Sequence, residues 1–191
     1  MVEAFENHSR FSHYSKIIKF LFWTGCRPGE AFALTWEDIS SDCCKISITK
    51  SYASRVRLLK GTKNGKRRVF TCEKKSKLRS LLLQLRPQNP NPNDLVFKNQ
   101  SGQRMTLKVL GNVWRGNEVR GYIYKGVVTE LAEQGIVPYL KLYSTRHTFA
   151  TWAIASGVSP EKVAYWLGDD VRTVLAYYCH PDVTKTECPD F

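Results

Sequence analysis

The stretch that decides the fold is YSTRHTFATWAIASGVSPEKVAYWLGDDVRTVLAYYCHPD, residues 143–182. It reads as three consecutive helices. The first spans 144–156, with Ser144 or Thr145 as a hydroxyl cap and Gly157 as its stop. The second opens at Ser159-Pro160-Glu161, where a capping serine precedes a proline at the first helical position, and closes at Leu167-Gly168. Asp170 begins the third, which carries Val174, Leu175 and the pair Tyr177-Tyr178. The residues that follow read as a polar tail.

Upstream, FSHYSKIIKFLFWT (11–24) clusters Ile17, Ile18, Phe20, Leu21 and Phe22, a helix with a broad buried face that Gly25 can end. Pro28 sits at a tolerated first-turn position, and a short second helix follows over 30–34. Residues 44–50 alternate apolar and polar as a half-buried strand does. Residues 56–60 and 67–71 are two more strand candidates, and Asn64-Gly65 between them is a tight-turn signal. These segments predict a small antiparallel sheet with a basic hairpin. A leucine-bearing helix over 73–85, a Pro/Asn-rich loop over 86–94 and a short strand over 95–97 come next. Helices near 106–115 and 125–134, separated by Gly116 and Gly121, complete a mostly helical chain.

The 191 residues suit one domain, and 42% hydrophobic content supports a core. Lys and Arg number 29 against 17 Asp and Glu, a formal charge of +12, which points to an acidic partner, nucleic acid first. No apolar run is long enough to span a membrane, and the first residues do not form a secretory core, so a cytoplasmic protein with no membrane partner is expected. The six cysteines form no CxxC pair; free buried thiols, with no structural metal or disulfide framework, are the expectation.

Three segments carry chemistry: TGCRPGEAFALTW (24–36), TKNGKRR (62–68) and the stretch quoted first. In them the chain resembles the tyrosine recombinases, the phage integrase family, whose boxes read T-G-x-R-x-x-E with L-x-W following, H-x-x-R-H-T-F-A-T, then L-G-H and a terminal Y-x-H. The resemblance covers residues 13–182. It implies an α+β, mainly helical DNA breaking-rejoining catalytic fold with a small antiparallel sheet carrying a basic hairpin. It also implies a catalytic domain over 1–182 and a tail over 183–191, without the N-terminal core-binding domain usual in the family. The implied activity is site-specific cleavage and rejoining of double-stranded DNA through a 3′-phosphotyrosyl link, with no cofactor, metal or ATP. The implied assembly is a homo-tetramer on synapsed DNA and a monomer in isolation.

Cleaving a phosphodiester without metal requires cations where charge grows, and arginine's planar fork supplies bidentate, permanently charged contacts to phosphate. Arg27 and Arg146 match the family's two arginines. Tyr178, two residues before His180, matches the nucleophile, with Tyr177 the rival. Lys63 matches the hairpin lysine that protonates the leaving 5′-oxygen, with Lys66 the alternative. Lys60, Lys66, Arg67 and Arg68 are expected on the DNA backbone. Glu30 is expected to orient nearby cations, and His147 to buttress the site.

Two positions depart from the pattern. The first histidine of H-x-x-R falls at Tyr143, whose hydroxyl can hydrogen-bond phosphate but is a poor base at neutral pH. The histidine of L-G-H falls at Asp169, whose ionised carboxylate would repel phosphate unless protonated or paired with Arg146, Arg172 or His147. Both motivate an alternative, a catalytically impaired DNA-binding module on the same fold. A metal-dependent nuclease is a third reading, disfavoured because no Asp/Glu cluster has ligand spacing.

Overall fold

The computed structural model describes residues 1–62 and 65–179. The order is α1 (Val2–Asn7), α2 (Ser15–Thr24), α3 (Pro28–Ala33), β1 (Lys45–Ile48), β2 (Lys50–Ala53), β3 (Leu58–Gly61), β4 (Arg68–Thr71) and α4 (Lys77–Leu85). Then come α5 (Leu107–Arg115), β5 (Gly116–Val119), β6 (Tyr122–Lys125), α6 (Val127–Glu133), α7 (Ser144–Ala155), α8 (Pro160–Leu167) and α9 (Val171–Tyr178). The α+β class holds: helices form most of the body, and among the described residues the strands make three two-stranded antiparallel ribbons.

The local signals act where the residues place them. Gly25 ends α2 in the left-handed conformation, at φ +60°. Ser76 and Ser159 cap α4 and α8, each accepting a backbone N–H three residues on. Gly168 ends α8 at φ +62°, and the Asp170 side chain caps α9 by accepting the Arg172 N–H at 2.8 Å. Helix α2 is buried over most of its length and packs on α7, α4, α3 and α1. Phe5, Phe20, Phe32, Leu82, Leu110 and Trp114 are all buried in one continuous core.

The basic hairpin differs from its expected form. Strand β4 pairs with β1, in the register Ile46↔Phe70 and Ile48↔Arg68, while β3 pairs with β2. The tip of the excursion therefore lies at 54–57, and Thr62, Gly65, Lys66 and Arg67 lie outside the paired strands. The Gly65 N–H does reach the Thr62 carbonyl, at 3.0 Å, but this turn does not join two paired strands. Burial on one face decided the register: Ile46, Ile48, Arg68 and Phe70 all point inward. The short strand expected at 95–97 is only an isolated bridge from Thr35 to Leu95. The glycines 116 and 121 belong to a ribbon, β5–β6, that replaces a plain break between two helices.

Three aromatic rings fasten ribbon β1–β4 to the C-terminal helices. Phe70 lies 5.3 Å from Trp166 and 6.0 Å from Phe149, centroid to centroid. The Val69 N–H also donates to the Tyr165 hydroxyl at 3.0 Å. This packing brings β4, α7 and α8 together beneath the site.

Candidate active site

Gly25 is where the first box and the second meet. A Cβ at this position would collide with the Phe149 ring and with Leu167. The absent side chain lets the turn after α2 sit directly on α7, and its carbonyl accepts Nη1 of Arg146 at 2.9 Å. Arg146 is 1% exposed, so its direction is set by packing as much as by charge. Its Nη2 donates to Asp169 Oδ2, also at 2.9 Å.

Arg27 caps α3 and reaches the same carboxylate oxygen, Nη2 to Oδ2 at 3.3 Å. Two guanidinium groups from opposite ends of the chain thus share one oxygen of Asp169. Burial alone would raise the Asp169 pKa, but the Arg146 hydrogen bond and the charges of Arg146 and Arg27 outweigh it. The carboxyl is therefore held below its ordinary value of 3.8 and is ionised at neutral pH. The stability it contributes through the arginines is present above that ordinary value. It is lost only as pH falls through the lowered one. Of the pairings weighed for Asp169, the one with Arg146 forms, and Arg27 joins it.

The hairpin contributes Lys66, whose Nζ donates to the Asp169 backbone carbonyl at 2.7 Å. Lys63 lies outside the described residues, as do His180 and the tail 183–191. Arg67 is exposed and lines a groove with Lys66, Asp169 and Arg172. Lys60 is exposed on β3, where it lines a second cavity with Arg27 and Tyr143.

Arg68 faces the interior and not DNA. It was expected on the DNA backbone, yet it is 3% exposed and faces inward from β4. Its Nη1 and Nη2 meet the two carboxylate oxygens of Glu30 at 3.1 and 2.7 Å, and its Nε donates to the Trp166 carbonyl at 2.6 Å. Glu30, 1% exposed, also accepts the Arg27 backbone N–H at 2.9 Å. This bidentate pair ties β4 to the turn that presents Arg27. The signal was present in the chain: Arg68 and Phe70 share a strand face, so an inward Phe70 requires an inward Arg68.

On the solvent side, the Tyr178 hydroxyl lies 2.7 Å from His147 Nδ1. Burial raises the Tyr178 pKa above 10.0; the Arg146 charge opposes that rise, while Tyr143 and Asp169 add to it. Tyr143 is 43% exposed, and its ring stands edge-on to His147 at 5.3 Å. Tyr177, the rival nucleophile, is 68% exposed.

Cys26, beneath the arginines, is completely buried. Burial, with the charge of Glu30 adding, pushes its thiol up to about 12. It is expected to resist alkylation in the native state at pH 8 and to react on unfolding; mass-mapped iodoacetamide labelling with and without urea checks this. Among the described residues no three His, Cys, Asp or Glu side chains form a metal-sized group, and no helix is long and apolar enough to cross a membrane.

A helical DNA breaking-rejoining fold, with two arginines converging from distant segments, defines a class. The chain belongs to the phage integrase family, which matches residues 1–185. It is 25% identical over 179 residues to a "Tyrosine recombinase XerC-like" protein of Caldanaerobacter subterraneus subsp. tengcongensis, covering 83% of this chain and 43% of that one. It is 27% identical over 169 residues to the "Putative defective protein IntQ" of Escherichia coli K12, covering 82% and 42%. The chain thus spans less than half the length of these relatives. The fold is similar to the Tn1549 transposon integrase in complex with circular intermediate DNA, with TM-score 0.75 at 18% identity, over 96% of this chain and 60% of that one. It is similar to the XerH recombinase bound to difH substrate, with TM-score 0.60 at 22% identity, over 96% and 48%. It is also similar to the catalytic domain of bacteriophage HP1 integrase, with TM-score 0.55 at 19% identity, over 92% and 79%.

Proposed function

We propose that this chain is the catalytic domain of a site-specific DNA recombinase, cleaving and rejoining double-stranded DNA through a 3′-phosphotyrosyl intermediate. The observation that carries the reading is the shared anion position between Arg27 and Arg146, with the Tyr178 hydroxyl on the neighbouring helix. A phosphate oxygen has the size and charge to replace Asp169 Oδ2 there, and both arginines then neutralise the charge that grows on the pentacoordinate phosphorus. Tyr178 is the nucleophile. Lys63 protonates the leaving 5′-oxygen, with Lys66 as the alternative because its ammonium already reaches the Asp169 loop. Lys60, Lys66 and Arg67 contact the backbone, and Glu30 with Arg68 holds Arg27 in place. The tetramer on synapsed DNA, the monomer off it and a nucleoid-associated cytoplasmic location belong to the same reading.

The test is a duplex nicked just downstream of the cleavage point, so that the short 5′-hydroxyl fragment diffuses away and the covalent product accumulates. A denaturant-stable adduct that forms equally well in EDTA is expected. DNA binding without any adduct would sink the reading in favour of a non-catalytic module. Dependence on divalent metal would favour a nuclease.

Asp169→Asn gives a second check. The substitution keeps the side chain's size and removes the internal anion that phosphate must displace. A hydrogen bond to a charged group is worth about 1.5–3 kcal/mol, so the variant is expected to bind duplex DNA roughly tenfold or more tightly, measured by fluorescence anisotropy. Weaker binding would show that the carboxylate organises the arginines rather than competing with DNA.

A further inference from the structure

We propose that His147 is the general base of the cleavage step, taking the phenolic proton of Tyr178 on Nδ1. The proposal rests on the recombinase reading and assigns a catalytic part to a residue expected only to buttress the site.

The geometry is direct. His147 Nδ1 stands 2.7 Å from the Tyr178 hydroxyl, within the reach a base needs. Two elements fix that contact. His147 follows Arg146 on α7, about 100° further round the helix, so packing that buries Arg146 turns His147 out toward α9. Tyr143, one turn earlier on the same face, sets its ring edge-on at 5.3 Å, and the Tyr178 ring closes the other side at 5.6 Å. The imidazole is held between two tyrosine rings, and it is exposed, so its proton can return to solvent.

The chemistry requires such a group. The Tyr178 phenol is pushed above 10.0 by burial and by Tyr143 and Asp169, against Arg146, so it attacks poorly while protonated. Tyr143, where the family pattern has its first histidine, is itself a phenol, a poorer base than an imidazole. The Tyr178 hydroxyl is hydrogen-bonded to His147 and not to the Asp169 carboxylate, which faces the two arginines. Among the described residues, His147 is the imidazole within reach.

The step balances. The proton leaves the Tyr178 oxygen for Nδ1 of a neutral His147 as the oxygen–phosphorus bond forms. The bond from phosphorus to the 5′-oxygen breaks, and that oxygen takes a proton from the hairpin lysine. Rejoining runs in reverse: the lysine recovers the proton of the 5′-hydroxyl, and protonated His147 returns its proton to the departing tyrosine. No oxidant, metal or nucleotide enters.

A base and a mere prop are separated by His147→Gln, whose amide oxygen can still accept the phenol hydrogen bond but cannot take the proton. Single-turnover adduct formation on the nicked duplex is followed from pH 5.5 to 9. In that window Asp169 stays ionised and Tyr178 stays protonated when free, so neither supplies a titration limb. The wild type is expected to gain rate with rising pH and then level off. His147→Gln is expected to be about 100-fold slower or more at pH 7.5, to lose the levelling limb, and to bind DNA unchanged. Added imidazole is expected to speed His147→Ala and not the wild type. A His147→Gln variant that keeps the wild-type rate or the wild-type pH limb overturns the proposal while leaving the recombinase reading in place. A wild type that binds DNA and never forms adduct overturns both.

Discussion

Arg68→Ala is expected to lower the unfolding free energy by about 3–5 kcal/mol, a large share of the ~5–15 kcal/mol typical of a domain. The reason is the carboxylate it leaves behind. Glu30 is 1% exposed and would keep the Arg27 backbone N–H and, at 3.6 Å, the Arg27 Nη1 as its polar partners. A buried charge stripped of its bidentate partner costs far more than the pair contributes. Urea denaturation of the variant measures this, and a loss under about 1 kcal/mol would show that the pair is solvated in solution. The double variant Glu30→Leu/Arg68→Met is expected to recover much of the stability, because it removes both charges. It is not expected to recover activity, because Arg27 then loses the carboxylate that fixes its backbone. Expectation from composition alone ran the other way. Arg68 looked like a surface cation, and its loss from a DNA-facing hairpin would have weakened binding without touching stability.

Tyr178→Phe is expected to abolish the covalent protein–DNA adduct while changing duplex affinity by less than about twofold. The change removes one oxygen that no charged group of the site requires; its hydrogen-bond partner is the exposed His147. Without a hydroxyl there is no phosphotyrosyl bond, so the loss is total rather than graded. Tyr177→Phe is expected to keep adduct formation, since that side chain is 68% exposed and projects about 100° round α9 from Tyr178. Gel analysis of denatured reactions distinguishes the two. Adduct formed by Tyr178→Phe and missing from Tyr177→Phe would exchange their roles.

Much of the architecture was legible because it rests on local physics. Gly25 at a helix end, Pro28 and Pro160 at first turns, and Asp170 as a cap each depend on a few neighbouring residues. The ribbons were read less well. Asn64-Gly65 is a strong turn pair, yet β4 pairs with β1 and not with β3, a choice made by burial of Ile46, Ile48 and Phe70, the last against α7 and α8. Ribbon β5–β6 escaped notice because its exposed residues, such as Tyr122 and Ile123, show no buried alternation to read.

The site divides along the same line. Residue identity and order proposed Arg27, Arg146, His147, Asp169 and Tyr178 as candidates, since the family boxes are contiguous in the chain. What each side chain faces was not. Asp169 was set among possible partners by its charge alone, and only folding showed one carboxylate oxygen shared between arginines from α3 and α7. His147 passed for a neighbour of Arg146 until α9 brought Tyr178 within 2.7 Å of it. Arg68 passed for a DNA contact until Glu30 drew it inward. Sequence by itself determined helix ends, family and the list of polar groups, because these depend on residue type and short-range spacing. Tertiary structure decided which charges meet, because electrostatic partners are chosen by packing across distant segments.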